Sequence, residues 1–182
     1  TLHYSFKTSA FDVGMFEQGL FRLTHGAGLS ITIVPRWVEQ SWFNLHFSPI
    51  LYGLAPLYYL WPDAMMFRTL NVFLLASAAP VLFFCVRKMT GSSWLACAMA
   101  ASYVLHPLVV NAAVWDFHEV SFAPVIFSLA YLALLHRHRA GFMAACVALL
   151  AVKEHYALAV LGFGLLWGMA HGDYRFGAKI MV

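Results

Sequence analysis

Apolar residues in this chain fall in long unbroken runs, and short polar knots separate the runs. Phe67 to Val86, Trp94 to Val114 and Val120 to Leu135 are the clearest runs, followed by the shorter Gly141 to Val152 and Tyr156 to Met169. Runs near the ~20 residues that cross a hydrocarbon core predict membrane-spanning helices, because a helix satisfies its own backbone polar groups in lipid. The knots are Arg87-Lys88, Trp115-Asp116-Phe117-His118-Glu119, His136-Arg137-His138-Arg139, Lys153-Glu154-His155, and Asp173-Tyr174-Arg175 with Lys179. Their sign alternates, as in a chain whose basic loops stay on the cytoplasmic side while acidic loops cross. On that basis 67–86 runs inward, 94–114 outward and 120–135 inward again.

Residues 1–47 lack such a run and are punctuated by Gly14, Gly19, Gly26, Gly28 and Pro35, which predicts a long extracytoplasmic loop. Inside it, Phe11 to Leu23 has a weak helical pattern after Ser9 as a candidate cap, with Phe11, Met15, Gly19 and Arg22 on one side and Asp12, Phe16 and Leu23 on another. The piece 48–62 is apolar but short and broken by Gly53 and Pro56. It is read as an interfacial helix, since a crossing here would put Arg87-Lys88 outside, and Tyr52, Tyr58, Tyr59 and Trp61 suit the headgroup level. His46-Phe47-Ser48-Pro49 predicts its start, with Ser48 capping and Pro49 in the first helical position. Transmembrane helices then fill 67–182. Within that zone, 141–169 is either two short helices turning near the outer surface at Lys153-Glu154-His155 or one long helix carrying those charges at membrane depth. The first is preferred, because it returns Arg175 and Lys179 to the basic side and avoids a buried ionisable cluster.

Composition agrees: with 62% apolar and only 10% charged residues, a soluble chain of 182 residues could not hide its apolar surface. The expected fold class is all-α, a polytopic transmembrane helical bundle forming a single membrane domain over 1–182. A formal charge of +3 with no basic stripe leaves nucleic acid without support as a partner. Cys85, Cys97 and Cys146 sit in apolar runs without ligand spacing, which argues against a zinc site or a disulfide framework. The absence of an initial methionine and the stop soon after an apolar run suggest an internal fragment.

Under this topology seven of the eight acids (Asp12, Glu17, Glu39, Asp63, Asp116, Glu119 and Glu154) lie outside, which points to an external polar site. Asp116 and Glu119 are three apart, so a helical turn between them would put both carboxylates on one face, able to hold a divalent cation such as Mg or Mn. His118 can orient a ligand or exchange a proton. The alternative is that these acids cap the helix starting near Val120. Asp12, set among apolar residues beside Gly14, is either a site carboxylate or a cap. Lys153 beside Glu154 and His155 is either a phosphate contact or half of a structural ion pair. Arg68 at the outer mouth of the first span either meets an anion or snorkels to headgroups. Glu17 and His46 complete the candidates.

Phe11-Asp12-Val13-Gly14-Met15-Phe16-Glu17-Gln18, His46-Phe47-Ser48-Pro49-Ile50-Leu51, Asp116-Phe117-His118-Glu119 and Val152-Lys153-Glu154, in this order, resemble a family of prokaryotic multi-pass membrane proteins defined by a domain of unknown function. That family in turn resembles the GT-C glycosyltransferases, which take a sugar from a polyprenyl-phosphate carrier on the outer face. The resemblance implies Asp12 as the catalytic carboxylate of a first external loop and Asp116 and Glu119 as the paired acids of a second, and the chemistry of such a transfer adds His118 to them as a metal or acceptor ligand. The acidic pair here has two intervening residues where the better known motif commonly has one. Lys153 would contact the donor phosphate. Membrane lipid and a polyprenyl-phosphate-linked sugar are then the expected partners, and a prokaryotic plasma membrane the expected location. The rival readings are a transporter or channel with an acidic vestibule, or a membrane protein without chemistry. Spans 67–86 and 120–135, almost free of polar residues, disfavour the transporter.

Overall fold

A computed structural model describes residues 10–32 and 40–181, so Ser9, Pro35 and Glu39 lie outside the described residues. Helix α1 (Ala10–Thr24) leads into a two-residue antiparallel ladder, β1 (Ser30–Ile31) on β2 (Gln40–Ser41), with Ser30 opposite Ser41 and Ile31 opposite Gln40. The Gln18 side-chain amide ties ladder to helix, donating to Thr32 Oγ1 at 2.7 Å and accepting from Thr32 N–H at 2.8 Å. The inward face of α1 carries Val13, Phe16, Gly19 and Leu20, so it merges the two faces expected from spacing. The reason is local: Leu29, Ile31 and Trp42 close over Gly19, where a Cβ would meet Leu29 at 3.4 Å.

A 3-10 stretch Pro49–Leu54 and the short α2 (Ala55–Leu60) follow. Pro49 takes the first helical position as expected, but Ser48 makes no capping bond: it is fully buried and its backbone is not in a capping conformation. Leu51, Leu54 and Tyr58 turn into the core with α1, while Tyr52, Tyr59, Leu60 and Trp61 face outward. Helix α3 (Ala64–Thr90) is capped by Asp63, whose Oδ1 accepts the Met65 N–H at 2.7 Å, and ends at Gly91 with φ 72°. It packs along both α4 (Ser93–Val104) and α6 (Ala123–Leu135).

The run 94–114 is not one helix. It breaks by 47° between α4 and α5 (Pro107–Val114). Pro107 has no N–H for the preceding turn and pushes His106 into extended backbone, where the imidazole Nδ1 caps α5 by accepting from Leu108 N–H at 3.2 Å. The run 120–135 likewise begins as a 3-10 turn, Glu119–Phe122, before α6. Two helices, not one, cover 141–169: α7 (Arg139–Val152) and α8 (Ala157–His171), separated by an extended Lys153 and a 3-10 turn Glu154–Tyr156.

Helices α6, α7 and α8 run antiparallel between two levels. One level is marked by Glu119 against Lys153, the other by His171 Nε2 at 3.0 Å from Leu134 O and by Arg139 against Asp173. Helix α9 (Tyr174–Met181) returns along α8 at backbone contact, because Gly164, Gly168 and Gly177 face one another. A Cβ on Gly177 would strike the Gly164 carbonyl oxygen. The two apolar clusters, one around Phe16, Trp42, Phe67 and Phe117 and the other around Phe142, Leu149 and Trp167, are joined by Phe122 and Val125.

Among the described residues, Ala64–Thr90 is long and apolar enough to cross a membrane, and Ser93–Val104 with Pro107–Val114 passes only as a bent pair. Glu119–Leu135 and Arg139–Val152 are apolar but shorter.

Candidate functional site

The site is built on the extended segment between α5 and α6. Phe117 is buried and held by Phe16, Phe67 and Phe122, with ring centroids 5.1, 5.5 and 6.4 Å away. Pinning Phe117 inward straightens its neighbours, and His118 has φ −134° and ψ 152°. Asp116 and Glu119 therefore do not share a helical face, and neither caps the following turn, whose N-cap is His118 without a side-chain bond. Their partners come from other helices instead.

Asp116 Oδ1 faces Arg68 Nη1 of α3 at 3.7 Å, and Arg68 Nη2 donates to Val114 O at 3.1 Å. Glu119, 1% exposed, receives Lys153 Nζ at 2.8 Å across the α7–α8 turn. Burial above all, and then the Glu119 carboxylate, pushes the Tyr156 phenol up from its ordinary value, which places that ring beside the same pair. Asp12, in the first turn of α1, reaches His118 Nε2 at 3.9 Å. The other ring nitrogen of His118 is 3.1 Å from the Asp116 carbonyl, which can only accept, so Nδ1 carries a proton and Nε2 faces Asp12. Asp12 and His118 thus form a partly exposed pair able to hold or release one proton.

Asp12 thus meets His118 and Arg68 meets Asp116, two pairs joined through the segment 116–118, with Glu119 and Lys153 adjoining along the chain. Glu17, His46, Glu154 and His155 do not join them. Glu17 lies toward Tyr58, whose hydroxyl is raised by burial first and then by the Glu17 and Asp63 charges. Glu154 is a tether: Oε2 accepts the Phe47 N–H at 3.0 Å and Oε1 meets His46 Nδ1 at 3.5 Å. Its own backbone N–H, then those contacts, hold its carboxyl below the usual range. The His155 ring lies tilted against Tyr156, with centroids 4.3 Å apart and 50° between the planes.

Asn71 was missed by sequence reasoning. Its side chain, 1% exposed, donates to Ala112 O at 2.9 Å and Trp115 O at 3.3 Å and accepts from Ser121 Oγ at 2.6 Å. It clamps both ends of the extended segment to α3. The signal that would have found it is a lone amide inside the apolar run 67–86.

A divalent cation does not fit this donor set. Asp116 and Glu119 diverge to Arg68 and Lys153, and among the described residues no group of three or more His, Cys, Asp or Glu side chains is arranged for a metal.

The sequence matches, over residues 2–182, the family described as "Predicted membrane protein (DUF2079)". No curated protein and no solved structure matches it.

Proposed function

We propose, for a chain that belongs to the DUF2079 family of predicted membrane proteins, that it is a multi-pass membrane enzyme transferring a sugar from a polyprenyl-phosphate carrier to an acceptor hydroxyl at the outer face. The observation that carries this reading is the meeting of Asp12 with His118, 106 positions later (118 − 12), beside Asp116 and the cationic Arg68. A proton acceptor and a partly buried guanidinium, held at opposite ends of the short segment 116–118, supply the two elements the reaction needs. The acceptor O–H proton passes to the Asp12–His118 pair as the oxygen attacks the sugar's anomeric carbon. The bond from that carbon to the phosphate oxygen breaks, and the electron pair stays on the phosphate.

Arg68 is the better placed cation for that charge. Its Nη1 is buried without a hydrogen bond of its own, whereas Lys153 is held at 2.8 Å by Glu119. Lys153 is thereby assigned a positioning role, moved from the phosphate contact expected from sequence. In this reading the Glu119–Lys153 level is extracytoplasmic and the Arg137–Arg139 turn cytoplasmic, which follows the basic-inside bias. The helices α6 to α8, at ~1.5 Å per residue, are short for a ~30 Å core. Local thinning of the bilayer accommodates them.

The test is transfer from a labelled polyprenyl-phosphate sugar by the full chain in liposomes. Asp12→Asn is expected to reduce the rate by about 100-fold or more with little change in unfolding temperature. Undiminished turnover by Asp12→Asn removes Asp12 as the base.

A further inference from the structure

At the opposite level of the bundle, a cavity of about 520 Å³ is walled by Arg137, His138, Arg139, Trp167, His171 and Asp173. Beside it, a groove of about 530 Å³ runs between α6 and α7, lined by apolar side chains such as Ile126, Leu129, Ala144 and Ala148. His138 belongs to the walls of both, so the polar pocket and the apolar groove adjoin at that side chain. We propose that the two together form a site for an anionic phospholipid, with the phosphate in the pocket and an acyl chain in the groove.

Charge favours an anion here. Asp173 engages Arg139 at 2.5 Å and accepts the Phe176 N–H at 3.2 Å, so that acid is matched. Arg137 has no side-chain partner among the described residues and is left over as a full positive charge at the rim. The start of α7 adds the positive end of its dipole, and His138 Nδ1 already accepts the Gly141 N–H at 2.9 Å, so its second nitrogen is available to donate.

A second, independent feature is the Trp167 indole. The residue is 1% exposed, it walls the pocket, and its Nε1–H makes no well-formed hydrogen bond, although it lies near enough to Asp173 to favour that carboxylate's charge. A buried N–H left in that state is stabilised by an acceptor oxygen arriving in the pocket. Free phosphate would satisfy the pocket but not the groove. A lipid uses both, and the groove extends over Gly141 to Ala148, roughly 10 Å at ~1.5 Å per residue.

The experiment uses the full chain in nanodiscs of equal phosphatidylglycerol and phosphatidylcholine, followed by native mass spectrometry of retained lipid. The wild type should retain phosphatidylglycerol selectively. Arg137→Gln, at an exposed position, should keep its unfolding temperature and lose about tenfold in retention, the effect of one charge-assisted contact. Trp167→Phe, which removes the N–H together with part of the buried ring and is therefore compared at matched unfolding temperature, should lose selectivity to a smaller degree. Ala144→Trp, also at an exposed position, fills the groove and should lower retention without changing competition by inorganic phosphate. Equal phosphatidylglycerol retention by wild type and Arg137→Gln would overturn the site. Full retention by Ala144→Trp, with inorganic phosphate displacing the lipid, would show a phosphate pocket alone and overturn the lipid assignment. None of these readouts involves sugar transfer, so they stand apart from the proposed reaction.

Discussion

The two levels of the α6–α8 bundle use the same residue types in opposite ways. At one, Asp116 and Glu119 are each buried against a cation from a distant segment, Arg68 of α3 and the extended Lys153, and the backbone between them is extended and pinned by Phe117 and Asn71. At the other, His136 to Arg139 sit in an exposed turn with Arg137 at φ 54°, and among the described residues only Asp173 answers their charge. Burial decides what an ion pair means. Buried partners hold each other because neither can be solvated alone, while exposed ones are screened and exchange freely with a ligand. The first level is therefore a fixed scaffold that offers the Asp12–His118 pair to solvent, and the second is an adaptable anion trap.

The largest expected effect comes from Lys153→Met, which leaves the Glu119 carboxylate, 2% exposed, without its cation. Unfolding in detergent should show a loss of about 3–5 kcal/mol, and adding Glu119→Leu should recover most of it. A loss no greater than for a surface pair would mean that water reaches Glu119 and that the two levels are alike.

The matching change at the other level is Arg139→Met. Its side chain is 64% exposed although it touches Asp173 at 2.5 Å, so the loss should stay below about 1 kcal/mol and shrink further in salt. A loss comparable to that of Lys153→Met would break the comparison from the other side.

The smallest effect concerns pH. The Glu154 carboxyl is lowered in the folded state by its own backbone N–H first, then by Phe47 N–H and His46. A depressed acid contributes stability above its unfolded value, and that contribution disappears as pH falls through the folded value. Thermal unfolding followed downward from neutral pH should thus show a weak acid limb that Glu154→Gln removes. A limb unchanged in the variant assigns it to other carboxylates.

Sequence pattern was most informative where one physical effect dominates. The apolar run around 67–86 became α3, and the charge triplet Lys153-Glu154-His155 became the break between α7 and α8, because ionised groups do not stay in a packed helix without partners. The run 94–114 was expected as one span on its length, and the 47° bend at Pro107 divides it. Asp12 and the segment 116–119 were expected on one side of the membrane, and the contact that the structure adds is that of Asp12 with His118. The pairings Arg68–Asp116 and Lys153–Glu119 were not legible, since they depend on which side of an extended strand each carboxylate faces, and a buried phenylalanine between them decided that. Asn71 and the opposed Gly164, Gly168 and Gly177 are contacts between segments, on which spacing within one run is silent.

The central claim, that α1 delivers Asp12 to the 116–119 segment, is tested most directly by thiol cross-linking in the full chain with the exposed Cys97 replaced by alanine. Asp12→Cys with His118→Cys should be joined rapidly by a short bifunctional reagent, whereas Asp12→Cys with His138→Cys should not be joined at all. Failure of the 12–118 pair to link, while each thiol alone still reacts with a monofunctional reagent, would contradict the account.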